Sequence, residues 1–239
     1  MEETRDNRTR RLLGDDKFKL LQRASVLVVG VGGVGGYAAE MLARSGVGNL
    51  TLLDADNVAE SNINRQLIAT TVTVGQPKVI LFAERFHDIN PDAHINAIKD
   101  FLTPDNLDAI FNGSTFDYVI DAIDTVAPKV ALLEHCLRNK IPVVSSMGAG
   151  GRVDPTKVGY FDLWETREDG LAKAVRRKMK ADGFRHSLKV VASTEKPCSH
   201  SLIEVEALNK RTSYGTIATI PALFGIFLGN HVIRSIVKV

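Results

Sequence analysis

The sequence predicts an α/β protein built on a mostly parallel β-sheet with helices on both faces, extended by additional strands and a C-terminal apolar helix. Short apolar segments alternate with helical segments over residues 25–146, which is typical of parallel strands that are covered on both sides. The first apolar segment also runs directly into a glycine-rich turn, "VLVVGVGGVGG". A strand, a glycine turn and a helix in that order predict a Rossmann-like unit.

The elements of this core follow one another without long linkers. Residues 1–24 predict a polar arm with a short amphipathic helix. The predicted strands are Ser25–Gly30, Asn49–Asp54, His94–Ile98, Asp117–Asp121 and Ile141–Ser146. The predicted helices between them are Gly33–Ser45, Pro77–Asn90, Pro104–Phe111 and Thr125–Asn139.

The pattern changes after "GAGGRVDP". Here "KVGYFDLW", "SLKVVAST" and "HSLIEVEAL" predict strands that extend the same sheet, and "GLAKAVRRKMK" predicts a basic helix. Residues 212–233 carry no formal charge and favour a buried core or dimer-interface helix over a membrane span. We therefore expect one domain over 1–239, with an arm (1–24), a nucleotide-binding core (25–150) and a substrate-side extension with a dimer helix (151–239).

Composition excludes several classes of protein. The formal net charge of the 239 residues is only +2, so a nucleic-acid partner has to be recognised by a local patch. The two cysteines, Cys136 and Cys198, cannot form a four-cysteine zinc site, and we expect no zinc. The polar N-terminus does not resemble a secretory signal, which predicts a cytoplasmic protein.

The glycine-rich turn predicts a phosphate site. Gly30, Gly32 and Gly35 have the G-x-G-x-x-G spacing, in which the glycines allow a tight turn, close approach of a phosphate and close packing of the helix. Gly33 adds further room. Asp54 ends the next predicted strand, where its carboxylate can accept hydrogen bonds from ribose hydroxyls.

The residues that follow favour ATP over a redox cofactor. A polar cluster of Asn62, Arg65 and Gln66 comes after Asp54, and Lys78 begins the next helix. Two cations beside a phosphate chain suit the charge that builds up in phosphoryl or nucleotidyl transfer. A carboxylate at Asp124, after the strand that ends at Asp121, can hold Mg²⁺ against phosphate oxygens; the alternative is that it only caps the next helix.

These residues resemble the ThiF/MoeB/HesA superfamily of adenylating enzymes, which is related to ubiquitin-activating enzyme. The matching segments are "GVGGVGGYAAEMLARSGVGNLTLLDAD", "SNINRQL", "VGQPKV", "DINP" and "VIDAIDT". The resemblance implies that the glycine turn binds ATP. It implies the following residue roles: Asp54 on the ribose, Asn62, Arg65 and Lys78 on the phosphates with Asp56 and Gln66 beside them, Asp124 on Mg²⁺, and Arg8 reaching across a homodimer.

The remainder of the chain is similar to one branch of that superfamily, the tRNA threonylcarbamoyladenosine dehydratases. This similarity rests on "IPVVSSMGAGGRVDPTKV", "LAKAVRRKMKADGF" and "STEKP". It implies adenylation of the carboxylate of a modified tRNA adenosine, followed by ring closure. The basic helix would then contact tRNA through Lys173, Arg176, Arg177 and Lys180. The family also implies a cysteine desulfurase or sulfur-acceptor partner.

Three other functions remain open at this point. A sulfur-carrier adenylyltransferase of the MoeB/ThiF type would activate the C-terminus of a small protein. An NAD-dependent oxidoreductase would use the same glycine turn for a dinucleotide. A non-enzymatic scaffold would bind ATP and release no AMP.

Overall fold

The computed structural model describes residues 3–207 and 210–239. The helices are α1 (Asn7–Leu13), α2 (Asp15–Arg23), α3 (Gly35–Arg44), α4 (Lys78–Ile89), α5 (Leu107–Phe111), α6 (Val126–Arg138), α7 (Gly170–Ala181) and α8 (Thr219–Val237). The strands are β1 (Ser25–Val29), β2 (Asn49–Leu53), β3 (His94–Ile98), β4 (Tyr118–Asp121), β5 (Val143–Ser146), β6 (Val158–Asp162), β7 (Lys189–Ser193), β8 (Leu202–Ala207) and β9 (Lys210–Tyr214).

Seven strands form one sheet in the order β3-β2-β1-β4-β5-β7-β6. All neighbours are parallel except the edge strand β6, which runs antiparallel to β7. The predicted Rossmann-like sheet and its extension by additional strands are therefore confirmed. The strand order reverses direction between β1 and β4, and open α/β sheets bind their ligands at the carboxyl ends of the strands at such a point.

The segment after β7 differs from the prediction. β8 pairs with β9 in a separate two-stranded sheet and does not extend the large one. The strand predicted from "HSLIEVEAL" exists over Leu202–Ala207, and its last residue lies outside the described part of the chain. The alternating pattern of a strand cannot by itself tell which partner the strand will pair with.

The residues of β1 show how the sheet is covered. Val26 and Val28 belong to one apolar core, with side chains of α3, α4 and α8, whereas Leu27 and Val29 belong to a second core with side chains of α6 and α7. Because successive side chains of a strand point to opposite faces, a continuous apolar strand serves both cores. This arrangement fixes the carboxyl end of β1 between two layers of helices.

The C-terminal helix α8 packs closely on α3. A Cβ atom built on Gly225 would lie 2.3 Å from the carbonyl oxygen of Val34, and one on Gly229 would lie 2.8 Å from Cβ of Met41. α8 is long and apolar enough to cross a membrane, but a core helix of a soluble protein passes the same test. The contacts with α3 favour the predicted role as a core helix.

The N-terminal arm forms two helices where one was predicted. Gly14 separates them with a φ of 85°, a conformation that favours glycine. Arg5 donates a hydrogen bond to Oδ1 of Asn90 and forms an ion pair with Asp92, just before β3. The start of the chain therefore lies at the amino ends of the strands.

Candidate active site

The glycine-rich turn joins β1 to α3 at the reversal point of the sheet. Gly30 has a φ of 83°, and a Cβ atom there would lie 3.0 Å from the carbonyl oxygen of Ala122. A Cβ atom on Gly35 would lie only 1.8 Å from the carbonyl oxygen of Gly30. Neither position can hold a side chain without moving backbone, so the turn keeps the N-terminus of α3 tightly folded against the end of β1.

Asp54 follows β2 and closes the turn from one side. Its carboxylate accepts hydrogen bonds from the backbone N–H groups of Val31 (2.8 Å) and Asp56 (2.9 Å). The side chain is 10% exposed, and burial raises the pKa of this carboxyl while Lys78 opposes that rise. Each carboxylate oxygen retains a lone pair with which it can bind a ribose hydroxyl.

Lys78 begins α4 and is almost completely buried. Its Nζ atom lies 2.7 Å from Oδ2 of Asp56 and 3.9 Å from Oδ1 of Asp54. The cation predicted for the phosphates thus lies beside the carboxylate predicted for the ribose. The ion pair with Asp56, which neutralises the ammonium group, was not predicted from the sequence.

The segment with Arg65 and Gln66 borders the glycine turn on its other side. Cγ of Arg65 is 3.3 Å from the position of a Cβ atom on Gly33, and Nε2 of Gln66 is 3.6 Å from that of Gly32. Nη1 of Arg65 donates to the carbonyl oxygen of Ser61 (2.7 Å) and to the side chain of Asn64 (2.8 Å). The fold therefore brings this segment and the glycines together.

Two side chains of this segment are buried amides. Oδ1 of Asn62 accepts a hydrogen bond from the N–H of Ala59 (3.0 Å), which fixes the short 3₁₀-helix Glu60–Asn62. Oε1 of Gln66 is buried without a hydrogen-bond partner. A buried amide oxygen without a partner costs free energy, and a ligand that donates a hydrogen bond at the glycine turn would satisfy it.

Asp124 is exposed and lies in the short segment between β4 and α6, whose other residues are half-buried. Thr125 occupies the N-cap position of α6, and Asp124 directly precedes it. Among the residues that the structure describes, no group of three or more His, Cys, Asp or Glu side chains is arranged for a metal ion. A single carboxylate nevertheless suits Mg²⁺, which is commonly held by one or two carboxylates together with substrate phosphates.

A buried ion pair between Lys129 and Asp121, on either side of Asp124 in the sequence, was not predicted from the sequence. Nζ of Lys129 lies 2.7 Å from Oδ2 of Asp121 and donates to the carbonyl oxygen of Ile123 (2.8 Å), and neither charged side chain is exposed. Ser145 also donates to Asp121 (2.6 Å). Lys129 therefore fixes the backbone that leads to Asp124. Nothing in the spacing of these residues along the chain distinguishes Lys129 from a surface lysine.

A second buried pair lies beyond β5 and was also missed. Arg152 donates hydrogen bonds to the carbonyl oxygens of Glu195 (3.1 Å) and Glu168 (2.8 Å) and lies 3.4 Å from the Asp169 carboxylate. Asp169 accepts from the N–H groups of Gly148 and Ala172, both at 2.9 Å. It thus ties the N-terminus of α7 to the carboxyl end of β5, on the edge of the sheet that carries the glycine turn.

The cations predicted for tRNA lie on α7 but differ in their surroundings. Lys173, Arg177 and Lys180 are exposed. Arg176 instead donates to the carbonyl oxygen of Leu163 (3.0 Å) and to the hydroxyl of Thr166. Three of the four predicted side chains are thus available to a ligand, and Arg176 holds the segment before α7.

Arg8 is not part of the crevice of its own chain. It lies on α1, is 88% exposed and pairs with Glu3, and the neighbouring Arg5 places this arm at the opposite edge of the sheet.

The two cysteines differ in their surroundings. Cys136 is buried in α6, which raises the pKa of its thiol to about 12, whereas Sγ of Cys198 lies 3.0 Å from Nδ1 of His200.

Comparison with known proteins identifies the family. The ThiF family matches residues 5–239, almost the whole chain. This chain belongs to the ThiF family. Among curated relatives of this ThiF protein, the tRNA threonylcarbamoyladenosine dehydratase of Bacillus subtilis (strain 168) is 39% identical over 234 residues, which cover 95% of this chain and 92% of that protein. The enzyme of the same name from Escherichia coli (strain K12) is 47% identical over 174 residues, 73% of this chain and 65% of that protein.

Solved structures agree with this assignment. The crystal structure of the E. coli tRNA N6-threonylcarbamoyladenosine dehydratase, TcdA, in complex with ATP is similar to this ThiF protein with a TM-score of 0.89 and 38% identity. The similarity covers 98% of this chain and 94% of that one. The fold of the present chain is therefore that of the relative throughout, including the elements after β5.

Proposed function

We propose that this ThiF family protein is an ATP-dependent tRNA threonylcarbamoyladenosine dehydratase. One observation carries the proposal: a single sheet edge holds the glycine turn, Asp54, Lys78 and Gln66, in a chain that is similar to a dehydratase along nearly its full length. That edge suits a nucleoside triphosphate, and the name of the relatives identifies the second substrate as tRNA that carries threonylcarbamoyladenosine.

The residues at this edge fit ATP. The space above Gly32 and Gly33 is bordered by Gln66 and Arg65 and would be narrowed by any side chain on the glycines. Nε2 of Gln66 is the amide atom on the side of Gly32, where it can donate a hydrogen bond to a phosphate oxygen. Asp54 provides the acceptor for ribose hydroxyls.

The reaction that we propose has two steps. In the first, an oxygen of the threonylcarbamoyl carboxylate attacks the α-phosphorus of ATP, and the bond to pyrophosphate breaks. In the second, a nucleophile of the same modified side chain attacks the activated carbonyl and loses its proton, while AMP leaves with one former carboxylate oxygen. The net change in the nucleoside is the loss of one water.

The chain contributes positioning and positive charge to this sequence. Arg65 and Lys78 would stabilise the charge on the phosphates as pyrophosphate leaves, for which Lys78 has to exchange Asp56 for a phosphate oxygen. Asp124 would hold Mg²⁺, a Lewis acid that neutralises phosphate oxygens when bound. Lys129 and Asp121 keep the Asp124 segment in place through the Ile123 carbonyl.

The remaining parts of the proposal concern partners and location. We propose that Lys173, Arg177 and Lys180 contact tRNA, and that the protein acts in the cytoplasm as a homodimer in which Arg8 reaches the nucleotide of the other copy. The exposed position of Arg8, at the opposite edge of the sheet, supports a role outside the crevice of its own chain. A sulfur-acceptor partner rests on the family alone.

Pyrophosphate exchange into ATP tests the substrate assignment. We expect exchange to depend on tRNA that carries threonylcarbamoyladenosine and to be absent with unmodified tRNA. Exchange that depends instead on a small sulfur-carrier protein with a free C-terminal carboxylate would support the alternative adenylyltransferase. ATP binding without exchange under either condition would support the non-enzymatic scaffold.

A further inference from the structure

A cavity of about 390 Å³ lies away from the glycine turn, between the last turns of α8 and the first residue of β7. We call it the basic basin and define it by Lys189, Arg234 and Lys238, which line it together with Tyr160, His231 and Ser235. Val239 also lines it, and none of these described lining residues has an acidic side chain. Its size falls in the range of ligand sites in proteins, about 300–1,000 Å³.

The three cations of the basic basin have few acidic neighbours; the cross-strand partner of Lys189 in β6 is Asp162. Within residues 3–207 and 210–239, no ion pair with Asp or Glu involves Lys189, Arg234 or Lys238. Nε of Arg234 donates to the carbonyl oxygen of Val239 (3.2 Å), and that contact uses only one of its N–H groups. Like charges around one cavity repel one another, and a bound anion relieves that repulsion.

His231, which also lines the basin, is affected by the positive charge of two of its cations. The imidazole of His231 is half-buried and lies 3.0 Å from the hydroxyl of Tyr118. Burial, together with the charges of Lys189 and Arg234, lowers the pKa of His231. The Tyr160 hydroxyl, which donates to the carbonyl oxygen of Phe227 (2.8 Å), lines the basin together with His231 and the three exposed cations.

The position of the basin indicates which anion it serves. Lys189 is the first residue of β7, and only eight residues lie between it and Lys180 on α7; they include Arg185 and His186, whose side chains are exposed. α7 begins at the active-site edge, where Asp169 binds Gly148. Its 12 residues extend over roughly 18 Å. α7 and α8 cover opposite faces of the sheet, so a ligand that contacts both has to pass around the amino ends of the strands, where Arg185, His186 and Lys189 lie.

An extended polyanion fits this path better than a small one. The phosphates of an RNA strand can contact α7 and the basin at the same time, whereas a free phosphate can occupy only one of them. We propose that the basic basin binds a backbone phosphate of tRNA at a point on the RNA away from the modified adenosine. This inference rests on the proposed function, because the proposed function is what identifies tRNA as the RNA ligand.

The test is tRNA binding by the double variant Lys189→Gln/Lys238→Gln as a function of salt concentration. We expect about tenfold weaker binding near 0.1 M salt, and a plot of log K against log salt that is shallower by about two units, one for each lost phosphate contact. ATP affinity should stay at the wild-type value. The matched control Lys17→Gln/Lys19→Gln removes the same charge from α2, which contributes no residue to the basin, and should keep the wild-type slope.

Two results would overturn the inference. One is a wild-type affinity and salt slope in the Lys189→Gln/Lys238→Gln variant. The other is the loss of binding to vesicles that contain phosphatidylserine while tRNA binding is unchanged, since this would assign the basin to an anionic lipid surface. Conversion of modified tRNA by the wild-type protein, measured in parallel, distinguishes failure of this inference from failure of the proposed function. If the wild type converts tRNA and the variant binds tRNA normally, only the role of the basic basin is contradicted.

Discussion

The ammonium group of Lys78 lies 2.7 Å from the carboxylate of Asp56, so the cation that is expected to act on ATP is held by an acid of the protein. The side chain of Asp56 is 55% exposed whereas that of Lys78 is 5% exposed. Asp56 can therefore become solvated, and a phosphate can take its place beside Lys78. The pair keeps a buried charge satisfied until the nucleotide arrives.

The first prediction concerns this exchange of partners. Lys78→Met should lower the single-turnover rate of dehydration by about a hundredfold or more, the usual effect of removing a group that stabilises charge in a transition state. Asp56→Asn, which keeps the ammonium group, should lower the rate by less than about tenfold, measured in the same assay with modified tRNA and saturating ATP. A Lys78→Met protein with near wild-type turnover would remove Lys78 from the proposed site.

The second prediction concerns the buried pair Lys129 and Asp121. Lys129→Met leaves Asp121 as a buried carboxylate without its counter-charge and should reduce the free energy of unfolding by about 3–5 kcal/mol. The double variant Lys129→Met/Asp121→Asn should recover part of this loss. Urea unfolding measures both, and Lys157→Met, which breaks an exposed pair with Asp154, is the control with an expected change within about 1 kcal/mol. Equal effects of the two lysine variants would contradict the structural role of Lys129.

The third prediction follows from Glu134 on α6, whose Oε1 atom is buried without a hydrogen-bond partner. Burial raises the pKa of this carboxyl, and the nearby Asp182 raises it further. A carboxyl whose pKa is higher in the folded than in the unfolded state favours folding only while it is protonated, so this contribution is lost as pH rises through the folded pKa. The ion pair with the exposed Arg138 offsets little of that cost.

Glu134→Gln cannot ionise and should therefore be more stable than the wild type at pH 7.5, by on the order of 1 kcal/mol. At pH 4, where the wild-type carboxyl is mostly protonated in the folded state, the gain should vanish. Thermal unfolding at the two pH values measures the difference, with the exposed Glu84→Gln as control. A gain that is the same at both pH values would rule out ionisation as its cause.

The fourth prediction separates the cations of α7. Lys173→Glu/Arg177→Glu should weaken tRNA binding and leave the melting temperature unchanged, because both side chains are exposed. Arg176→Glu should lower the melting temperature, because its guanidinium binds the carbonyl oxygen of Leu163 and the hydroxyl of Thr166. Filter binding and thermal unfolding distinguish the two effects. Normal tRNA binding by the Lys173→Glu/Arg177→Glu variant would exclude this helix from the RNA surface.

Local patterns predicted the sheet and the position of the crevice. The apolar run at β1, the glycine turn and Asp54 are close in sequence, and short-range geometry determines how they meet. Contacts between distant segments were not predictable in the same way. Lys78 and Asp56 are 22 residues apart, and Lys129 reaches Asp121 only because the segment after β4 folds back over the start of α6.

Two differences in the fold have similar causes. Gly14 divides the N-terminal arm by adopting a positive φ, which the amphipathic pattern around it does not reveal. β8 finds its partner in β9 rather than in the large sheet, a choice that depends on tertiary contacts. The residue roles in ATP and tRNA binding remain predictions that the variants above test.

The central claim is tested most directly by the mass of the modified nucleoside after a single turnover. The protein is incubated with ATP, Mg²⁺ and tRNA that carries threonylcarbamoyladenosine, and the tRNA is then digested to nucleosides. We predict a nucleoside that is lighter by one water, with one AMP and one pyrophosphate formed for each product. An unchanged nucleoside from a protein that demonstrably binds both ATP and the tRNA would contradict the account.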